Sequence, residues 1–134
     1  MIGVLLVTHG EIGTALLTSA SQILGGVAQQ VATLSVWRQD DPDDLVLRAR
    51  ELLERIDAGD GVLVLTDIFG ATPGNVVSRL LADGQVEGVS GVSLPMLLRV
   101  LTSRNGSLAA AVKRALSGGA EGVVHMNSGR CLDA

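Results

Sequence analysis

Aromatic and cysteine residues are nearly absent from this chain. Its 134 residues include one Phe, one Trp, no Tyr and a single cysteine, Cys131. A lone cysteine cannot form an internal disulfide, and it has no second thiol with which to hold a zinc ion. The net charge is −4. The chain therefore lacks both the basic face and the stacking rings that nucleic-acid-binding proteins use.

Long hydrophobic runs are also missing. Hydrophobic residues make up 47% of the chain, but none of its apolar segments approaches the about 20 residues needed to cross a bilayer. The first apolar run, Gly3 to Val7, has no basic region before it and leads directly to His9, unlike a cleavable signal peptide. We therefore expect a cytoplasmic protein, and the length suits a single domain covering residues 1–134.

Short apolar runs alternate with segments of helical periodicity, which is the pattern of stacked βαβ units around a parallel sheet. The most apolar run, Gly61 to Asp67, is expected to be a central strand covered on both faces. We predict an α/β, flavodoxin-like doubly wound sheet with strand order 2-1-3-4 and helices on both faces. The predicted strands are Ile2 to Thr8, Val31 to Val36, Gly61 to Asp67, Val86 to Val92 and Gly122 to Met126.

The segments between these strands carry recognisable helix starts and stops. A first helix is expected from about Ile12 to Gly25-Gly26, and a second follows an Asp cap with Pro42 in its first turn. Later helices are expected to begin at Thr72-Pro73, at Pro95 and at Ser107. The last of them should end near Leu116, because Ser117-Gly118-Gly119 is typical of a helix stop.

Polar residues follow two of the predicted strands. Thr8-His9-Gly10 comes after the first strand, and Thr66-Asp67 comes at the end of the third. In the order 2-1-3-4 these strands are neighbours, and ligands bind at the carboxyl ends of such strands, so His9 and Asp67 are expected to face each other across a crevice. A carboxylate bound to one imidazole nitrogen leaves the other nitrogen free as a nucleophile or base.

The helix predicted after Asp67 adds an anion site to this crevice. Its free N–H groups and positive dipole end favour a negative group, while Gly70 and Ala71 allow close approach of the backbone and Thr72 offers a hydroxyl. With His9, these features indicate a phosphoryl group carried on the histidine. The cluster holds too few ligands for a metal ion, and no cofactor is expected.

Each of these residues also has a plainer interpretation. A histidine at a strand exit is often only a loop residue, while Asp67 and Thr72 are also plausible as caps of a turn and a helix. Phe69 is of a type that more often packs at the edge of a core than binds a partner. Arg38 follows the second strand at the same sheet edge and is a candidate for contacting a phosphate or a partner, whereas His125 is expected to be a packed or edge histidine.

The motifs VTHGEIG, TDIFGATPGN and GVSLPMLLRVL resemble, in order and spacing, the IIA component of the mannose family of the bacterial phosphoenolpyruvate-dependent sugar phosphotransferase system. The resemblance extends from about Met1 to Val124. It implies a phosphotransferase in which HPr phosphorylates Nε2 of His9 and the group passes to a histidine of a IIB component. Asp67 then binds the other ring nitrogen, and Thr72 binds the phosphoryl oxygens, with Gly10, Gly70 and Ala71 as further phosphoryl-binding candidates.

The resemblance also implies an assembly. Members of the family are homodimers whose final antiparallel strand contributes to the interface, so the segment Gly122 to Met126 is a candidate for exchange between subunits. The membrane is reached only indirectly, through a transporter complex. The run Ile68-Phe69-Gly70-Ala71-Thr72-Pro73 stands where many sugar-transporting members have a Trp or another aromatic with paired glycines before a Ser-Pro step. Both sugar uptake and regulation through the phosphorylation state therefore stay open.

Two functions of other classes remain as alternatives. The stretch Thr8-His9-Gly10-Glu11 echoes the Arg-His-Gly-Glu signature of histidine phosphatases, although Thr8 stands where those phosphomonoesterases need an arginine for phosphate. A regulatory interaction module of the same fold, in which His9 is inert, is the other. A receiver-type module would need an acidic cluster after the first strand and a lysine after the last, and neither is present.

Overall fold

Four parallel strands form the main sheet of the protein, whose residues 1–131 are described by a computed structural model. The strands are ordered β2-β1-β3-β4, which confirms the predicted order. Their bounds are Gly3–His9 for β1, Val31–Val36 for β2, Val62–Thr66 for β3 and Val86–Ser90 for β4. The helices are α1 (Ile12–Leu24), α2 (Pro42–Ile56), α3 (Thr72–Ser78), α4 (Leu94–Leu101) and α5 (Leu108–Glu121).

The two inner strands are covered on both faces, as the continuous apolar runs predict. Every residue of β3 is buried, and in β1 only His9, at its end, is exposed. Alternate side chains point to opposite faces, so Leu6 and Leu65 pack with α1, α4 and α5, while Leu5 and Val64 pack with α2 and α3. Buried apolar side chains thus pack against both faces of β1 and β3, and this packing fixes the positions of their carboxyl ends.

The first two helices confirm the capping signals of the sequence. Gly25 ends α1 in the left-handed region, with φ of 80°, where a residue with a side chain would be strained. The Asp41 side chain accepts a hydrogen bond from the Asp43 N–H, and Pro42 occupies the first turn of α2. Among residues 1–131 there is no helix whose length and apolar character suffice to cross a membrane.

The predicted end of the last helix is wrong, because α5 continues through Ser117-Gly118-Gly119 to Glu121. The glycines serve helix packing instead. A Cβ on Gly118 would lie 3.1 Å from Cβ of Arg99, and one on Gly119 would lie 2.8 Å from Cε of Met96. Close contact with α4 and an ion pair between Arg99 and Glu121 outweigh the low helix propensity of glycine.

The predicted fifth strand forms, but it pairs outside the main sheet. Val124–His125 (β5) and Arg130–Cys131 (β6) make a two-stranded antiparallel hairpin. Within residues 1–131, β4 pairs along its length only with β3, so its other edge is open. The exchange of this segment between subunits stays a prediction.

Candidate functional site

His9 is the last residue of β1 and lies opposite Val36 of β2. The Gly10 N–H donates to the Val36 carbonyl at 2.9 Å, and Gly10 has φ of 49°, in the left-handed region that favours glycine. The chain therefore turns away from the sheet directly after His9. This turn leaves the imidazole 48% exposed at the carboxyl edge of the sheet.

Thr8 holds the start of α1 against the end of β1. Its buried hydroxyl accepts a hydrogen bond from the Gly13 N–H at 2.8 Å, whereas Glu11, the residue at the cap position, makes no side-chain cap. A Cβ on Gly13 would lie 3.0 Å from that hydroxyl oxygen, so glycine permits the approach. The sequence interpretation did not predict this hydrogen bond. A hydroxyl residue at the end of a strand with a glycine five residues later, here Thr8 and Gly13, is the sequence feature that could have indicated it.

The structure brings Asp67 into contact with His9. Asp67 directly follows β3, and its Oδ2 lies 2.8 Å from Nδ1 of His9. The same oxygen accepts the backbone N–H of His9 at 3.1 Å, while the Thr66 hydroxyl lies 3.4 Å from Oδ1. Only 12% of the Asp67 side chain is exposed. The carboxylate is therefore held by both the ring and the backbone of the same histidine.

These contacts decide the protonation of the carboxylate. Burial by itself raises the pKa of Asp67, but the hydrogen bonds and the charge of His9 outweigh it, and the net pKa is lowered. Asp67 is thus ionised at neutral pH and acts only as an acceptor. The hydrogen of a neutral His9 ring consequently belongs on Nδ1, which leaves the lone pair on Nε2.

Thr72 is the first residue of α3 and not its N-cap, which corrects the capping interpretation. Ala71 occupies the cap position with extended backbone, φ −101° and ψ 178°, and makes no side-chain cap. Among the described residues, nothing binds the Thr72 hydroxyl. The hydroxyl is therefore available to a ligand. Pro73 follows it and supplies no N–H, so the first turn of α3 offers fewer donors than expected.

A cavity of about 510 Å³ opens beside His9. Thr72 contributes to its lining, whereas Gly10, Gly70 and Ala71 do not. Gly70 is exposed with φ of 86°, in the turn between Asp67 and α3. The residues that line the cavity are His9, Val36, Trp37, Arg38, Asp40, Pro42 and Thr72.

Trp37 is the residue whose contact with the site the sequence interpretation missed. It directly follows β2, and its six-membered ring lies so close to Gly10 that a Cβ there would be 3.3 Å from Cζ3. Trp37 is 48% exposed and contributes to the lining of the cavity. The available signal is positional: the single Trp of the chain follows the strand that pairs with β1.

Phe69 does not pack at the edge of the core. It is 83% exposed, and its neighbour Ile68 is 55% exposed, in the turn that follows Asp67. Ile12 and Trp37, each next to the site in the chain or in space, are also exposed. Exposed apolar side chains therefore occur in several segments that follow the carboxyl ends of the strands, where Trp37 lines the cavity beside His9 and Phe69 lines a groove next to β4.

Other titratable residues lie outside this cluster. His125 is exposed in the hairpin, at the edge of β5, as expected for an edge histidine. Within residues 1–131 there is no group of three or more His, Cys, Asp and Glu side chains placed to hold a metal ion. The site thus consists of the His9 imidazole, the Asp67 carboxylate in contact with it, the Thr72 hydroxyl and the nearby Arg38 guanidinium.

The phosphatase interpretation is not favoured by this geometry. Thr8, at the position where those enzymes require an arginine for phosphate, is buried and bound to the Gly13 N–H. Its hydroxyl therefore points into the base of the loop instead of the cavity.

Comparisons with known proteins agree with the resemblance of the motifs. A family model described as the fructose IIA component of the phosphotransferase system matches residues 3–116. The mannose-specific EIIAB component of Escherichia coli K12 is 31% identical over 125 residues, which cover 91% of this chain. The chain spans 38% of the length of that relative.

Two further proteins match the chain over most of their own length. The fructose-specific EIIA component of Bacillus subtilis is 33% identical over 105 residues, which are 78% of this chain and 71% of that protein. A phosphotransferase system component EIIA from Streptococcus agalactiae has a similar structure, with a TM-score of 0.84 and 26% identity. This match covers 96% of the present chain and 99% of the other.

Proposed function

Because this chain belongs to the IIA components of the mannose family of the sugar phosphotransferase system, we propose that it carries a phosphoryl group on Nε2 of His9 between two other proteins. The contact between Asp67 and Nδ1 of His9 carries this proposal, since it leaves Nε2 as the exposed nucleophile. The proposed donor is phosphorylated HPr, and the proposed acceptor is a histidine of a IIB component.

The proposed transfer needs no net movement of protons. The lone pair on Nε2 of neutral His9 attacks phosphorus, and a new N–P bond forms as the donor's N–P bond breaks. The broken bond leaves its electron pair on the donor ring, which departs as neutral imidazole if its other nitrogen carries a proton. The positive charge that develops on the His9 ring lies 2.8 Å from the Asp67 carboxylate, which stabilises it.

The proposed role is in sugar uptake. The two similar curated proteins are named mannose-specific and fructose-specific, which favours a hexose transporter as the eventual destination of the phosphoryl group. Transfer between HPr and IIB takes place in the cytoplasm, so the chain would reach the membrane only through the transporter complex. Regulation through the phosphorylation state of His9 would use the same chemistry.

We expect incubation with phosphoenolpyruvate, enzyme I and HPr to give one acid-labile phosphoryl adduct, detected by mass spectrometry of the intact protein. His9→Ala should abolish it, because the nucleophile is removed. His125→Ala is the matched control, since it removes the only other histidine, which is exposed in the hairpin and does not line the cavity, and should leave the adduct unchanged. An adduct that survives His9→Ala, or none in the wild type, would refute the proposed function.

The proposed functional unit is a homodimer. Beside the open edge of β4 lies an apolar groove with a cavity of about 340 Å³, lined by residues that include Val77, Leu81 and Leu116. The hairpin leaves Val124 and Met126 exposed, at 43% and 89%. An open strand edge and an exposed apolar strand are complementary, which supports the exchange of the β5 segment between two copies.

A further inference from the structure

Arg38 is the one arginine or lysine that lines the cavity beside His9. It lies two residues beyond Val36, which is the partner of His9 across the β1–β2 pair. Its side chain is exposed, and no carboxylate within residues 1–131 forms an ion pair with it. The Arg38 guanidinium is therefore neither packed in the core nor neutralised by a described carboxylate.

The loop that carries Arg38 is held by its own backbone contacts. The Asp40 carboxylate accepts the Trp37 N–H at 2.8 Å, and the Asp40 N–H donates to the Trp37 carbonyl at 3.0 Å. These two bonds close a turn in which Arg38 is a middle residue. The Asp40 carboxylate thus binds the backbone of its own turn. Because these hydrogen bonds already form the turn, Arg38 lies beside the cavity before any ligand binds.

The charge of a phosphorylated site creates a need for this cation. A phosphoryl group adds about two negative charges at neutral pH. Asp67 is already ionised in contact with the His9 ring, and Glu11 and Asp40 lie nearby in the chain or in the cavity lining. The positive ends of α2 and α3 also face the cavity, since Pro42 and Thr72 in their first turns line it, but Arg38 is the one full positive side-chain charge among the described lining residues.

We propose that Arg38 binds the phosphoryl group carried on His9, a role that rests on the proposed function. The planar guanidinium can donate two parallel hydrogen bonds to phosphoryl oxygens, which a lysine cannot do. The Thr72 hydroxyl, from the other side of the same cavity, is placed to donate a third. Arg38 is thus a phosphoryl-binding residue supplied by the β2–α2 loop.

The proposal has a thermodynamic consequence that separates it from partner docking. A cation that binds phosphorylated His9 stabilises the product of transfer from HPr and shifts the equilibrium toward this chain. A residue that only docks the donor binds it in a transient complex. It changes the rate of exchange but not the equilibrium between the separated proteins.

The experiment measures the partition of the phosphoryl group at equilibrium between HPr and this chain. We expect Arg38→Gln to lower the partition constant about three- to tenfold, as for the loss of a charge-assisted bond near the surface. Arg38→Lys should retain part of the effect. The defect should shrink at high ionic strength, because exposed charges are screened.

The matched control is Arg55→Gln, which removes the same charge from the last turn of α2. That turn lies beside the start of β1, at the opposite end of the sheet, where the Gln30 side chain binds the Ile56 carbonyl. The partition constant should be unchanged in this variant. A uniform drop in both variants would point to net charge and overturn the proposal.

Two other results also overturn it. If Arg38→Gln has the wild-type partition constant but slower exchange, Arg38 contacts a carboxylate of the donor instead. If the constant and the rate are both unaltered, Arg38 has no part in transfer. In each case wild-type His9 still accepts the phosphoryl group, so the proposed function stands, whereas failure of the wild type to accept it refutes both.

Discussion

At the scale of single residues, His9 owes its properties to contacts made by two strands that are distant in sequence. Asp67 selects the tautomer of the ring and also binds the His9 N–H, so one carboxylate orients both the side chain and the backbone. The Thr8 hydroxyl accepts the Gly13 N–H and so fixes the first turn of α1 relative to the end of β1. The His9 ring and backbone are therefore both fixed by hydrogen bonds, although 48% of the side chain is exposed.

The Asp67 carboxylate should make stability depend on pH. Because its pKa is lower in the folded protein than in the unfolded chain, its contribution is present above the unfolded pKa and is lost as the pH falls through the folded pKa. Asp67→Asn should therefore cost about 1 kcal/mol near neutral pH, where the contact is partly solvated, and progressively less below about pH 4.

Urea denaturation of the wild type and Asp67→Asn at a series of pH values tests this expectation. The difference between their free energies of unfolding should narrow toward acid. Asp83→Asn is a suitable control, because Asp83 is exposed in the turn before β4 and its carboxylate makes no hydrogen bond or ion pair with the described residues. A difference that widens on acidification would contradict the assigned direction of the pKa shift.

At the scale of elements, the pairing of α4 with α5 depends on glycines in unexpected places. A Cβ on Gly122 would lie 2.5 Å from Cβ of Pro95 and 2.9 Å from the Gly118 carbonyl oxygen. The ring of Pro95 is rigid and sits in the first turn of α4, so it cannot move away freely. The glycines thus set the distance between the two helices.

Gly122→Ala should consequently destabilise the protein by about 1–3 kcal/mol, the usual cost of overpacking. Gly26→Ala is the matched control, since a Cβ there would have no neighbour within 4 Å. It should change the free energy of unfolding by less than about 0.5 kcal/mol. Chemical denaturation measures both, and equal stability of the two variants would show that α4 can shift to accommodate the methyl group.

At the scale of the whole molecule, one chain leaves two complementary surfaces unused. The open edge of β4 borders an apolar groove, and the hairpin carries exposed valines. Charged side chains often prevent such open edges from pairing with other strands, but Glu87 is the only charged residue among the five residues of β4. A second copy of the chain is the occupant that we propose.

We expect light scattering after size exclusion to give twice the mass of the chain. Replacing Val123 and Val124, which are both exposed and lie in the segment proposed to be exchanged, with Asp should yield a monomer, because two buried charges would oppose its pairing with a second copy. Leu47→Asp, at a 60% exposed position on α2, is the control and should remain dimeric. A monomeric wild type, or a double variant that still dimerises, would contradict the exchanged strand.

The sequence alone was sufficient for the features that local physics decides. Apolar runs identified the strands, and the Asp41-Pro42 cap and the Gly25 stop identified helix ends, because capping is satisfied by neighbouring residues. His9 and Asp67 could be assigned to one edge of the sheet because parallel strands of a doubly wound sheet end on the same side. Their contact followed from the strand order.

Only the tertiary structure decided features that depend on contacts between distant segments. The Gly118-Gly119 pair continues α5 because α4 lies against it, and Phe69 is exposed because no helix or strand within residues 1–131 covers its turn. The Trp37 ring packs beside Gly10 because Val36 is paired with His9 in register, whereas the placement of Arg38 at this sheet edge was already expected from the sequence. The periodicity of apolar residues along the chain indicates which side chains are buried, but it does not indicate which distant segment packs against them.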